Sequence, residues 1–197
     1  MNPVLVVFFL SLFFFSIEVI FPGTAEVLAL SREPFMPYTL FTYIFVHADI
    51  QHLVSNMFAL LIFGLILERL IGEREFLKVF FISGFASAGG LFFYDSIVGA
   101  SGAIFGLIGA LAVIRPKMMV YVGVPLPMIG IAFVWGLLDL VGVLGTSGNV
   151  ASASHLLGLL FGALLGLRYR EESIEEKEEI LTDEEIDEWE RRYMLNE

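Results

Sequence analysis

Ser101 stands in Gly99-Ala100-Ser101-Gly102-Ala103-Ile104-Phe105-Gly106, at the start of an apolar segment that runs to Ile114. Lipid offers a hydroxyl no water to bond, so a serine there serves either helix packing or chemistry. A serine oxygen becomes a useful nucleophile only when a base takes its proton, and histidine is the side chain whose ordinary pKa suits that work near neutral pH. His155, in a later apolar run, completes such a pair. An acyl-transfer site also needs donors aimed at the developing oxyanion. His52 and Asn56, one turn apart on a single helical face, can supply them together with backbone N–H groups near Ser101. A buried hydrogen-bond network tying helices together explains any single one of these residues better than chemistry does. It explains the whole set poorly, because unneeded polar groups in a bilayer are costly.

Other hydrolytic chemistries fit less well. The chain has no cysteine, so it has no thiolate nucleophile, disulfide framework or zinc-thiolate site. The HExxH of a zinc protease is absent. Tyr94-Asp95 resembles half of a presenilin-type aspartate pair, but no GxGD accompanies it. The run around Ser101 is not the GxSxG elbow of soluble hydrolases, and no strand is expected before it. Neither a metal nor a cofactor is called for.

Positioning these groups is work for membrane helices. Of 197 residues 57% are hydrophobic and the mean hydropathy is +0.83, well above an ordinary soluble domain. Apolar runs at 4–21, 53–67, 76–94, 98–114, 118–143 and 150–167 predict six spans in an all-α bundle. The first run lacks the basic start and cleavage site of a signal peptide. Glu18, near its far end, reads as a carboxylate reaching for the interface. Between the first two spans, 22–46 carries Pro22, Pro34 and Pro37 and reads as a loop partly embedded at the membrane face.

Basic residues fall at Arg69, Arg74 and Lys78, then Arg115 and Lys117, then Arg168 and Arg170, so the positive-inside rule puts both termini in the cytoplasm. Depth follows by counting helical rise back from the inner charges. Asn56 lies roughly 18 Å above Glu68, Ser101 roughly 21 Å above Arg115, and His155 roughly 20 Å above Arg168. Three polar residues on three spans thus share a level about 10 Å below the outer surface of a core about 30 Å thick. Ser101 and His155 can touch only if the fourth and sixth spans approach closely. Gly102, Gly106 and Gly109 on one, and Gly158, Gly162 and Gly166 on the other, permit that approach.

The net charge of −11 belongs to the end of the chain: 171–197 hold thirteen acids and three bases. The domain division is therefore a membrane domain at 1–170 and an acidic cytoplasmic tail at 171–197, partly helical or disordered, with a partner unspecified. From Thr182 the tail reads as a capped helix with Ile186, Trp189 and Tyr193 on one face. No polybasic surface for nucleic acid is present in the nearly neutral membrane part.

The chain resembles the rhomboid intramembrane serine proteases over about residues 1–170. The resemblance rests on His47, His52 and Asn56 as HxxxxHxxxN, Gly99, Ser101 and Gly102 as GxSG, and His155 followed by Gly158 and Gly162. Glu68 and Gly72 match the ExxxG that closes the family's second span. The resemblance implies Ser101 as nucleophile, His155 as general base, and His52, Asn56 and the Ser101 N–H as oxyanion binders. It further implies that His47 shapes the first loop and that Phe105 lies beneath the catalytic histidine. It implies a dyad without a third, acidic member, and no obvious one shows in the sequence. A compact six-helix core, a movable fifth helix and a cap loop are the implied architecture.

Two departures stand out: Tyr38-Thr39 where many members carry Trp-Arg, and Ser154 where alanine often precedes the last histidine. Trp135 reads as an interfacial belt residue in preference to a member of the lateral gate. The leading expectation is hydrolysis of peptide bonds in or beside transmembrane helices, in a multi-pass cell-membrane protein whose active site opens outward. Its partners would be membrane-protein substrates and the lipid bilayer. The alternatives are a catalytically inactive rhomboid-like escort of membrane proteins, disfavoured by the retained Ser101 and His155, and a small transporter using the histidines, which leaves Ser101 unexplained.

Overall fold

A computed structural model describes residues 2–145 and 151–178, with side chains through residue 170. Helix α1 (Pro3–Ile20) opens with Pro3 in its first turn and Asn2 accepting a hydrogen bond from the Val4 N–H at 2.9 Å, both favourable at a helix start. Its outer face, with Phe9 and Phe13 more than half exposed, has no water-compatible surface and is fit for lipid. The segment that follows contains α2 (Thr24–Leu28), a two-residue strand β1 (Leu30–Ser31) and α3 (Thr39–Thr42). Glu18 accepts from the Gly23 and Ala25 N–H groups and so closes the turn into α2. The inner part of this loop, Tyr43 to His47, is buried in the core.

Helix α4 (Ile50–Ala59) is capped by Asp49, whose carboxylate accepts from the His52 N–H at 2.8 Å. It continues through a π-turn (Leu60–Gly64) into α5 (Leu65–Ile71), and α6 (Glu73–Ser87) continues through a 3₁₀ stretch (Ala88–Phe92). Strand β2 (Ser96–Ile97) pairs antiparallel with β1, and Arg32 donates to the Leu91 and Tyr94 carbonyls. These contacts tie the first loop to the chain leading into α7 (Ser101–Ile114). Tyr38 donates to the Val27 carbonyl and Thr39 to that of Met36, so the departures at these positions hold the loop to itself.

Helix α7 is the axis of the molecule, with eleven of its fourteen residues buried. At 1.5 Å per residue it is about 21 Å long, shorter than a hydrocarbon core of about 30 Å, so α7 by itself does not reach across one. Beyond it, the expected span at 118–143 is corrected at its start. Met119–Tyr121 (β3) and Pro125–Pro127 (β4) form an antiparallel hairpin, and α8 (Met128–Leu144) begins only afterwards. Gly123, at φ 98°, turns the chain, and Pro125 and Pro127 are at home in an edge strand rather than a helix interior.

Helix α9 (Ser152–Glu178) carries the last apolar run and continues past residue 170. The helix expected at 182–193 lies outside the described residues. So do 146–150, in the connection between α8 and α9 that the expected cap loop would occupy. Among the described residues three helices are long and apolar enough to cross a membrane, Pro3–Ile20, Ile50–Ile71 and Glu73–Phe92, while α7 and α8 are shorter apolar helices.

Helices α7 and α9 meet backbone to backbone. A Cβ added to Gly158 would lie 2.0 Å from the Gly102 carbonyl oxygen, and one on Gly162 would lie 1.9 Å from that of Gly106. Side chains there would hold the helices apart. Gly102 and Gly106 also face Ser87 and Ser83 of α6 at similarly short range, and Ser87 meets Gly158 of α9 as well, so the three helices converge there.

Candidate active site

The close approach of α7 and α9 brings the Ser101 Oγ to 2.8 Å from the His155 Nε2. Ser101 is the first residue of α7, so the backbone N–H groups around it belong to a first turn for which the helix itself supplies no acceptor. They form the positive end of the helix dipole, where a developing anion is stabilised. Phe105, one turn on, stacks on the imidazole of His155 with ring centroids 4.3 Å apart and planes within 12°. That fixes the plane in which the ring can offer its nitrogens.

His52 and Asn56 line the same open cavity, of about 800 Å³, as Ser101 and His155. The His52 ring lies against Gly99, where an added Cβ would come within 2.7 Å of its Cε1. Gly99 also has φ 110°, a conformation a side chain would strain, so both space and backbone demand glycine two residues before Ser101. Asn56 donates one Nδ2 hydrogen to the His52 carbonyl at 2.8 Å, which leaves its second N–H for another acceptor. His47 is buried beside this pair, its ring edge-on to His52 with centroids 5.1 Å apart and its Nδ1 3.2 Å from the Phe45 carbonyl. Burial, with the His52 ring as a second cause, pushes His47 down to about 4 despite the carbonyl contact, so its ring is neutral at pH 7. A neutral ring donates from Nδ1 to that carbonyl, and His47 thereby pins the loop end that precedes α4.

Two side chains sit otherwise than the sequence suggests. Trp135 is not an interfacial belt residue: it packs inward, with ring centroids 5.9 Å from both Phe63 and Phe105, and lines the cavity. The second is Asp139 of α8, where no acidic partner for the histidine was expected. Its carboxylate oxygens lie 3.1 and 3.2 Å from the His155 Nδ1, and both residues are buried. The available signal was a lone acid within an apolar run, four residues after Trp135. Ser154, the other departure, is buried against Gly90 and points away from this cluster of contacts.

The tautomer follows from the donors and acceptors. An ionised carboxylate only accepts, and a His155 ring that donates to it from Nδ1 turns a bare Nε2 toward the Ser101 hydroxyl. The group in position to take the serine proton is therefore the free nitrogen.

A family model described as the Rhomboid domain matches residues 34–172, a stretch that contains every residue of this cluster. The chain belongs to the rhomboid family. RHOMBOID-like protein 6, mitochondrial, of Arabidopsis thaliana is 37% identical to this rhomboid over 133 residues, which make up 66% of this chain and 42% of that protein. Rhomboid protease AarA of Providencia stuartii is 30% identical over 149 residues, covering 62% of this chain and 52% of AarA. Rhomboid protease GluP of Bacillus subtilis is 32% identical over 139 residues, covering 66% of this chain and 26% of GluP. The rhomboid studied thus matches about a quarter to a half of the length of these relatives, two of which are named as proteases. Together with its apolar helices, the family makes it a membrane protein.

Proposed function

We propose that this rhomboid is an intramembrane serine endopeptidase that cleaves peptide bonds in or beside transmembrane helices. The observation that carries the proposal is the 2.8 Å contact between the Ser101 Oγ and the His155 Nε2 beside an open cavity. In this reading the Ser101 Oγ bonds to the scissile carbonyl carbon as its proton passes to the His155 Nε2. The carbonyl oxygen becomes an oxyanion held by the Ser101 N–H, His52 and Asn56. Collapse expels the amine, which takes the proton from His155 and leaves an acyl-enzyme. Water entering by the cavity is then deprotonated by His155, attacks the ester carbon and frees Ser101.

Six spans, with both termini cytoplasmic and the cavity opening outward, form the membrane arrangement of this reading. A substrate helix must unwind before its carbonyl can be attacked, because helical peptide groups are already hydrogen-bonded, so Gly or Pro near a small residue favours cleavage. The names of AarA and GluP as proteases support the activity.

The test is cleavage of a transmembrane peptide bearing a Gly-rich break, in proteoliposomes holding the parent chain or Ser101→Ala. The account expects product with the parent and a loss of at least about 10³-fold in kcat with Ser101→Ala. Equal cleavage by the two would end the serine mechanism. An inert parent that still captures membrane peptides would favour the escort reading.

A further inference from the structure

Asp139 is the one buried residue of α8 beyond its first two turns; the others, Met128, Ile131 and Ala132, lie near the helix start. Around it Leu138 borders the cavity, and Leu140 and Val141 are exposed on the outside of the bundle, which for this helix means lipid. A carboxylate among such neighbours is expensive unless it is paired, and packing alone gives no reason for it. The His155 Nδ1 supplies a partner, within hydrogen-bond distance of both carboxylate oxygens.

We propose that Asp139 is a positioning residue for His155 and completes a Ser101–His155–Asp139 triad. The inference rests on the reading of Ser101 and His155 as the reacting pair. The carboxylate holds the Nδ1 proton, so the Nε2 lone pair is presented to Ser101 rather than turned away or protonated. When the Ser101 proton moves to Nε2 and the Oγ–carbon bond forms, the imidazole becomes an imidazolium, and the adjacent negative charge stabilises it. The Nδ1 proton stays on the ring, and Asp139 remains a carboxylate throughout.

Phe105 fixes the ring plane from α7 and Asp139 fixes the ring's rotation within that plane from α8. The base is carried by α9, so its alignment depends on α8 being docked against the cavity. Displacement of α8 would release the ring from its only carboxylate contact among the described residues. The other titratable groups on the cavity wall, Asp49 and His52, come from α4 and its cap; neither holds the His155 Nδ1, although the His52 ring is near enough to His155 for like charges on the two to repel.

Two variants separate the roles. Asp139→Leu keeps apolar bulk and removes the acceptor; Asp139→Asn keeps an acceptor oxygen and removes the charge. The readouts are kcat and KM for the transmembrane peptide in proteoliposomes, and ¹⁵N NMR of histidine-labelled protein in micelles, with His155 assigned through His155→Ala. The proposal expects kcat to fall by about 10²-fold or more in Asp139→Leu, by less in Asp139→Asn, with KM within about twofold of the parent. It also expects the parent His155 to show a protonated Nδ1 and a bare Nε2, and Asp139→Leu to show a mixture of tautomers. Parent-like kcat in a folded Asp139→Leu, or a parent His155 protonated on Nε2, would overturn it. Should Asp139→Leu fail to fold, the Asn variant and the parent spectrum decide alone. A parent that cuts nothing contradicts the peptidase reading, whereas the NMR tautomer judges Asp139 independently of turnover.

Discussion

At the scale of single residues, three histidines have three surroundings and so three uses. His155 is held between a carboxylate, a stacked phenyl ring and a serine hydroxyl, an arrangement suited to moving a proton. His52 presses on Gly99 beside the cavity, and His47 is sealed behind it in neutral form. Stability should therefore carry the mark of His47 on acidification. Its folded value of about 4 lies below its ordinary 6.5, so between these limits the unfolded chain binds a proton that the folded one refuses. The contribution is whole above the upper limit, shrinks as the pH falls through the window and levels off below it. Thermal unfolding in detergent, followed from about pH 7 to about pH 4.5, should show a larger drop in Tm for the parent than for His47→Gln. An equal drop would mean that another group governs the acid response. The roles assigned here were partly legible from residue types alone, since a serine, histidines and an asparagine at one counted depth already implied a cluster. Asp139 was not, because the pairing joins α8 to α9 across a fold that no local spacing reveals.

At the scale of elements, the close packing of α7 and α9 sets the distance between the Ser101 and His155 side chains. Glycines on both helices let carbonyl oxygens approach to where a methyl group would stand. Gly162→Ala should force the pair apart at a backbone neighbour that cannot rotate away, costing about 1–3 kcal/mol of stability and weakening the Ser101–His155 contact. Gly130→Ala is the control: its added Cβ would meet only the ring of Pro127, at 3.4 Å, so Tm should hold or rise. Comparable losses in both variants would show that the effect is general to helical glycine rather than specific to the α7–α9 contact. The glycine spacing was visible in the sequence because it repeats on the two segments that must meet. The hairpin before α8 was missed because apolar residues fill both strands and mask the break, although Gly123, Pro125 and Pro127 carried the turn chemistry. An uncharged apolar run does not distinguish a strand pair from the start of a span.

At the scale of the whole molecule, a short, almost wholly buried α7 is surrounded by helices whose outer faces suit lipid, and its serine-bearing end opens to a cavity. Under the proposed function, water for the hydrolysis would enter by this cavity to reach the start of α7. The architecture also accommodates the inward turn of Trp135, which lines the cavity with Phe105 and packs on the buried Phe63. The central claim is that Ser101 is an activated nucleophile, and a fluorophosphonate probe tests it without any knowledge of the substrate. Detergent-solubilised parent, Ser101→Ala and His155→Ala should be compared at equal folded concentration. The account predicts labelling of the parent, none of Ser101→Ala, and labelling slowed by at least about 10²-fold in His155→Ala. Labelling of Ser101→Ala at the parent rate, or an unlabelled parent whose cavity admits the probe, would contradict it.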